Sequence, residues 1–283
     1  MHFDPDQKSA LFDAMCAMPT VDAHEHLHSE AMRNERGVDI FLLFHQYLRV
    51  DLILAGMAEA DANALDDPDV PIDRKWETFA PHWDLVRGTA VAKAPLLSLQ
   101  RFFDADDITA DNYEALTEQM RAHNTEGCYE RYLRDACNIV LVLNQNRTMW
   151  QTEVFKPILP GQNFVGTGTR GSIAEACAED DYEAPESLDA LEGIIGERVA
   201  ARKAEGMVGV KCIGFEYQPG SRDDALSAFP RVMGDAAQPG DGQALTAYLW
   251  DVLLDQCAKH DLVAVLHTGV WAVSYTHLTL PTN

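Results

Sequence analysis

Apolar residues first recur at helical spacing near the start of the chain, where Leu11, Ala14, Met15 and Met18 predict a short amphipathic helix over 8–18. Thr20-Val21-Asp22-Ala23-His24-Glu25-His26 then reads as a brief strand running into polar residues. From there to about residue 136 strand signal is almost absent. Helical runs follow one another at 38–55, 74–88 and 111–123, the last with Tyr113, Leu116 and Met120 on one face. Residues 30–136 or so therefore predict a long helical insertion.

Strand character returns with Asn138-Ile139-Val140-Leu141-Val142-Leu143, a continuous apolar run of the kind that fills a fully buried parallel strand. Asn163-Phe164-Val165-Gly166-Thr167 is a weaker strand candidate. A helix over 186–204 shows Leu188, Leu191, Ile195 and Val199 on its stripe, and Met207–Ile213 predicts a strand. A second helix, over 243–259, carries Leu245, Leu249, Val252, Leu253 and Cys257 before a last strand at Leu262–His267. Patches rich in Gly, Pro and Asp at 66–71, 157–163 and 234–242 read as loops. Alternation of this kind implies parallel strands joined by right-handed crossovers. Five strands are predicted where a closed barrel takes eight. The expected fold is α/β, a (β/α)8 barrel type that is incomplete, with a long helical insertion after strand one.

Composition narrows the function. The chain has 283 residues and a formal net charge of −23, from 22 Lys+Arg against 45 Asp+Glu. So acidic a surface repels phosphate backbones and anionic headgroups, so neither nucleic acid nor membrane is expected as a partner. The six cysteines (Cys16, Cys128, Cys137, Cys177, Cys212, Cys257) form no C-x-x-C pair, no signal peptide or membrane-length apolar run is visible, and a reducing cytoplasm is the expected location.

The chemistry gathers at strand ends. Side chains alternate along a strand, so Asp22, His24 and His26 are expected on one side and Glu25 on the other. Two imidazoles on one face can reach a single metal ion, with Asp22 orienting the site; an H-x-H pair is also common surface polarity. His267 closes another apolar strand, and catalytic zinc takes three protein ligands and leaves one position for water. Lys211 interrupts the apolar strand 207–213, and a buried ammonium is costly unless paired or chemically used. Its open roles are a carbamylated metal bridge, a charge for a substrate carboxylate, or a structural partner of an acid such as Asp22. Arg170 can grip a carboxylate bidentately or form a surface ion pair. His45 and Arg49, with Tyr47 between them, lie in the insertion as substrate-side candidates. Gly166-Thr167-Gly168-Thr169-Arg170-Gly171 lacks the G-K-[ST] ending of a phosphate loop.

Asp22-x-His24-x-His26, Lys211 within a middle strand and His267 ending a later one resemble, in order, the amidohydrolase superfamily. The His267-Thr268-Gly269-Val270-Trp271 stretch and the helical insertion resemble its amidohydrolase-related branch, near the uronate isomerases. The resemblance covers roughly residues 18–271 and implies a distorted barrel holding one or two divalent metals. A histidine at strand six and an aspartate at strand eight, which the family carries, have no counterpart here. Residues 272–283 lack helical or strand character and resemble a translated sequencing adapter, so the expected domain is a partial barrel over 1–271, and His277 receives no function.

The resemblance implies, first, a metal-dependent hydrolase in the complete protein, with His24, His26 and His267 holding a divalent metal, zinc foremost, that activates water against an ester, lactone or amide. The alternative is a sugar-acid isomerase of the uronate-isomerase kind, or a decarboxylase, with Lys211 or Arg170 on the carboxylate. A third expectation is that the chain by itself is an inactive fragment. The partner implied is a small molecule, carboxylates included, and the complete protein is free to form a homo-oligomer.

Overall fold

The computed structural model describes residues 5–145, 149–212 and 217–267. Ile213 at the predicted end of the fourth strand, Thr268–Trp271 and the tail over 272–283 lie outside the described residues. The chain divides into two compact units, one formed by residues 1–27 and 137–283 and the other by His28–Ala136.

The first unit opens with α1 (Pro5–Cys16) and β1 (Thr20–Glu25). Leu11, Phe12, Met15 and Met18, the apolar residues of the lead-in segment, are exposed. The second unit is helical: α2 (Glu30–Glu35), a 3-10 helix over Ile40–Phe44, α3 (Leu48–Leu54), α4 (Glu59–Ala64), α5 (Ile72–Val86), α6 (Lys93–Phe103), α7 (Tyr113–His123) and a π-helical stretch over Glu130–Ala136. It has its own core, because the apolar residues of α5 recur on one face and meet the 3-10 helix. Phe44 stands 5.1 Å from both Phe79 and Trp83, ring centre to ring centre, and Phe41 is 5.6 Å from Phe79.

The first unit resumes with β2 (Ile139–Asn144), β3 (Phe155–Pro160), α8 (Gln162–Val165), α9 (Arg170–Ala178), α10 (Leu188–Ala204), β4 (Gly209–Cys212), α11 (Arg222–Met233), α12 (Asp241–Lys259) and β5 (Val263–Leu266). The strands pair in chain order, all parallel, as a half-barrel flanked by helices. Its core lies between sheet and helices: Val210 and Cys212 from β4 meet Leu191, Ile195 and Val199 of α10 and Leu245, Leu249, Leu253 and Cys257 of α12. Gly161 allows that packing, since a Cβ there would stand 2.3 Å from the Trp250 ring. Among the described residues no helix is long and apolar enough to cross a membrane.

The third strand is not where the sequence pattern put it. Asn163–Val165 belongs to α8, and the strand is Phe155–Pro160, which runs into the 157–163 stretch that read as a loop. Proline is excluded from a strand only where its missing N–H is needed. Pro157 supplies its carbonyl instead, accepting from the Val208 N–H at 3.0 Å, and Pro157, Ile158 and Leu159 are buried. The helix α11 also went unpredicted. Its buried stripe is Ala225, Ala228, Phe229 and Val232, with Pro230 inside it, a weak apolar signal.

Candidate active site

β1 does not keep a regular register to its end. Asp22 pairs with Val142 and Glu25 with Asn144, so three steps along β1 match two along β2. Such a bulge breaks alternation and re-aims side chains. Glu25 is consequently close enough to Asp22 for the two carboxyl groups to interact, not on the far side as alternation predicted. Burial, then the neighbouring Asp22 carboxylate, pushes the Glu25 carboxyl up from its ordinary value. Asp22 also accepts from the His24 backbone N–H at 3.1 Å.

Beyond the bulge the two histidines converge. His24 Nε2 and His26 Nε2 lie 3.1 Å apart, and Lys211 Nζ stands 3.1 Å from the first and 3.2 Å from the second. Lys211 reaches them because it alternates with Val210 and Cys212, whose side chains are in the helix-packed core. It is 2% exposed. Burial lowers the proton affinity of the Lys211 amine. Both imidazoles are also shifted down, by burial first and the Lys211 charge second; for His24 the charges of His26 and His267 add, and that of Asp22 opposes. The neutral imidazole, the form that binds a metal, is thereby favoured.

His267 follows β5, continues the ladder by donating its N–H to the Cys212 carbonyl at 2.9 Å, and sets its ring edge-on to His24 with centres 5.7 Å apart. Among the described residues, however, no three His, Cys, Asp or Glu side chains gather closely enough to form a complete metal site. The pair His24 and His26 does suit a divalent cation. Two nitrogens bound to one tetrahedral zinc at about 2.0–2.1 Å sit roughly 3.3 Å apart, close to the separation found.

The remaining candidates are engaged locally. Arg170, first residue of α9, forms an ion pair with Asp235 in which both side chains are exposed. Within the helical unit His45 Nε2 lies 3.8 Å from Asp66, and burial lowers its proton affinity against the pull of that carboxylate. Arg49 donates to Asn63 at 2.7 Å and stands 3.8 Å from Glu59.

Two residues of consequence were not singled out in the sequence. Asn144 and Gln145 close β2, both are buried, and both bond to the chain around His26. Their signal was only that a continuous apolar strand ends in two amides, which also describes an ordinary loop.

No family model matches the chain, and no curated protein matches it in sequence. Solved structures do match in fold. A uronate isomerase from Thermotoga maritima superposes with a TM-score of 0.73 at 17% identity, over 95% of this chain and 65% of that one. A glucuronate isomerase from Caulobacter crescentus gives 0.71 at 17% identity, over 95% and 62%. A uronate isomerase from Bacillus halodurans C-125 gives 0.63 at 14% identity, over 96% and 62%. The chain thus spans between 62% and 65% of the length of these structures.

Proposed function

We propose that this chain carries the first part of the active site of a divalent-metal-dependent sugar-acid isomerase, with a uronate as the substrate class. The observation that carries the reading is the meeting of His24, His26 and Lys211 at the carboxyl ends of β1 and β4. That end is where barrels of this type place their chemistry. It stands on a scaffold whose matched structures are uronate isomerases, so the isomerase alternative replaces the hydrolase as the leading reading.

His24 and His26 would hold the metal through Nε2, and the His267 ring stands beside His24. A bound divalent metal would supply a Lewis acid for the carbonyl and hydroxyl oxygens of an open-chain sugar acid. Among the described residues the hydrogen-bond partners of Lys211 are the two imidazoles, and no carboxylate is among them. Its amine would serve a substrate oxygen as a donor to a hydroxyl, a carbonyl or a carboxylate. Moving a proton between adjacent carbons needs an acid or base within hydrogen-bond reach, and Lys211 is the candidate this chain offers. Its stem is enclosed by β4 and its neighbours, which limits how far the amine can stray.

The test uses the chain and any longer form that contains it, loaded with zinc or manganese. Each is assayed against D-glucuronate and D-galacturonate for ketose formation, and against a panel of esters, lactones and amides. Metal-dependent ketose formation by the longer form, lost in Lys211→Met, is expected. Hydrolysis of the panel without isomerisation would restore the hydrolase reading and refute this one.

A further inference from the structure

The bulge in β1 leaves backbone groups that the regular ladder would have satisfied, and buried backbone groups need partners. Two side chains of β2's last turn provide them. Gln145 Nε2 donates to the Ala23 carbonyl at 3.1 Å, within the bulged stretch, while the Gln145 backbone N–H donates to the Glu25 carbonyl at 2.6 Å. Asn144 goes further. Its Oδ1 accepts from the Leu27 N–H and its Nδ2 donates to the Leu27 carbonyl, both at 2.9 Å. A side-chain amide thus takes the place of a peptide group and prolongs the pairing past the end of β1. Asn144 is 1% exposed and Gln145 4%.

His26 lies between two residues held in this way, Glu25 and Leu27. Its Nε2 lies 3.1 Å from His24 Nε2 and 3.2 Å from the Lys211 Nζ. Toward a Lys211 ammonium, which can only donate, that nitrogen must accept, so this placement selects the tautomer with its lone pair on Nε2 and its proton on Nδ1.

We propose that Asn144, assisted by Gln145, is the positioning residue of this site: it fixes the chain on either side of His26 so that the ring presents its Nε2 lone pair to the His24–Lys211 cluster. The metal-binding arm of the test rests on the proposed reading of His24 and His26; the tautomer arm does not. Asn144 touches no reacting atom and acts through His26. A donor–acceptor pair directed at both main-chain groups of one residue is what only asparagine, at this reach, supplies.

The decisive variants are Asn144→Leu, which removes both bonds at similar volume, and Asn144→Asp, which keeps the acceptor and loses the donor. Leu191→Ala, in the core at α10, is the control for lost stability alone. Metal-free full-length chain, 15N-labelled at histidine, is examined by imidazole correlation NMR at a temperature where each variant keeps its native circular dichroism. Wild type and Leu191→Ala should show His26 as a single Nδ1–H tautomer, Asn144→Leu an averaged mixture, and Asn144→Asp a value between. Zinc titration against a competing dye should then show about 10–100-fold weaker binding for Asn144→Leu, the range expected on losing an outer partner of a ligand, and no change for Leu191→Ala. An unaltered His26 spectrum in both Asn144 variants overturns the proposal. If wild type takes no zinc but the tautomer still shifts in the Asn144 variants, the metal reading fails and the positioning role stands. Should Asn144→Leu not fold, Asn144→Asp alone decides between the same two outcomes.

Discussion

Lys75→Met tests how the segment leading to His45 is held. In the helical unit Asp39 caps the 3-10 helix Ile40–Phe44, its Oδ1 accepting from the Phe41 N–H at 2.9 Å. Its Oδ2 receives the Lys75 ammonium at 2.5 Å, and the same ammonium donates to the Leu65 carbonyl at 2.9 Å. The Lys75 and Asp39 side chains are 1% and 5% exposed. Methionine retains most of the packed stem and deletes the charge. What remains is a buried carboxylate with only a backbone donor, and a carbonyl with none from the lysine. Breaking a buried pair from one side costs about 3–5 kcal/mol, and the Leu65 carbonyl adds about 1 kcal/mol. Added methionine burial returns about 1 kcal/mol, so a net loss of about 3–5 kcal/mol is expected, a large part of a domain's usual stability. Urea unfolding is followed through fluorotryptophan resonances of Trp76 and Trp83, both within this unit. The double variant Lys75→Met/Asp39→Asn should be more stable than Lys75→Met, because asparagine keeps the cap without a charge to bury. A single-variant loss under about 1 kcal/mol, the range of exposed pairs, or a double variant weaker than the single, would refute the reasoning.

Lys211→Met removes a cationic neighbour from both imidazoles, so zinc binding should tighten by roughly tenfold or more at pH 7; an unchanged dissociation constant would show that the amine carries no charge beside them. Gly168→Ala forces a side chain at φ +74° with its Cβ 2.2 Å from the Gly242 carbonyl oxygen, and calorimetry should show the Tm lowered by at least about 5 °C. Asp241 accepts from Arg231 at 2.8 and 2.6 Å and from the Gln238 N–H at 2.7 Å, which holds its carboxyl at about 2 instead of 3.8. A depressed carboxylate stabilises above its unfolded value and loses that contribution as pH falls through the folded one. Asp241→Asn should therefore be weaker than wild type in urea at pH 6, with a gap that closes between pH 4 and 2; a pH-independent gap would contradict this. Among the described residues β1 and β5 each pair on one side only, with Val21, Val263 and Leu266 exposed. Val263→Lys/Leu266→Lys should reduce light scattering by the concentrated chain without lowering its unfolding midpoint.

What the sequence made legible follows a physical division. β2 and β5 are apolar runs, and β4 is one broken only by Lys211, so they were visible without a partner in view, although β5 at the edge of the described sheet leaves Val263 and Leu266 exposed. β3 was hidden because Pro157 and Pro160 are judged by the N–H they lack, whereas the ladder here uses the Pro157 carbonyl. In α11 half of the buried face is alanine, which carries little hydrophobic signal although its helix propensity is high. His24 and His26 stood out because two imidazoles on one strand face can share a metal ion, and Lys211 because an ammonium within an apolar strand is costly without a use. Arg170 was left open between a carboxylate grip and a surface ion pair, and it pairs with Asp235 at the surface. The bulge left no trace in the pattern, since the letters of a bulged strand still alternate. Asn144 and Gln145 are polar residues after an apolar run, and only the geometry distinguishes a clamp from a loop.

The histidine cluster depends on a strand pairing that the chain must make across a large detour. β1 and β2 are neighbours in the sheet, yet the unit His28–Ala136 lies between them in sequence. Extending a connection from roughly 14 to 110 residues is about three doublings, at about 0.6 kcal/mol each, or roughly 2 kcal/mol of closure entropy. A unit with its own core, as this one has in Phe41, Phe44, Phe79 and Trp83, reduces the freedom to be lost. What the detour cannot supply is register, because the connection itself no longer dictates which residue of β1 faces which of β2. Side chains at both ends of β2 do so instead. At its start Asn138, at φ +54°, accepts the Thr20 N–H through its backbone carbonyl at 2.9 Å and donates its Nδ2 to the Ala17 carbonyl at 3.1 Å. At its end Asn144 and Gln145 hold Leu27, Glu25 and Ala23. A one-residue slip would turn β1's side chains over. It would also break every one of these amide bonds, and His24 and His26 would no longer meet Lys211. The polar residues bracketing an apolar strand therefore carry the specificity of the pairing, and the placement of the two histidines is its consequence.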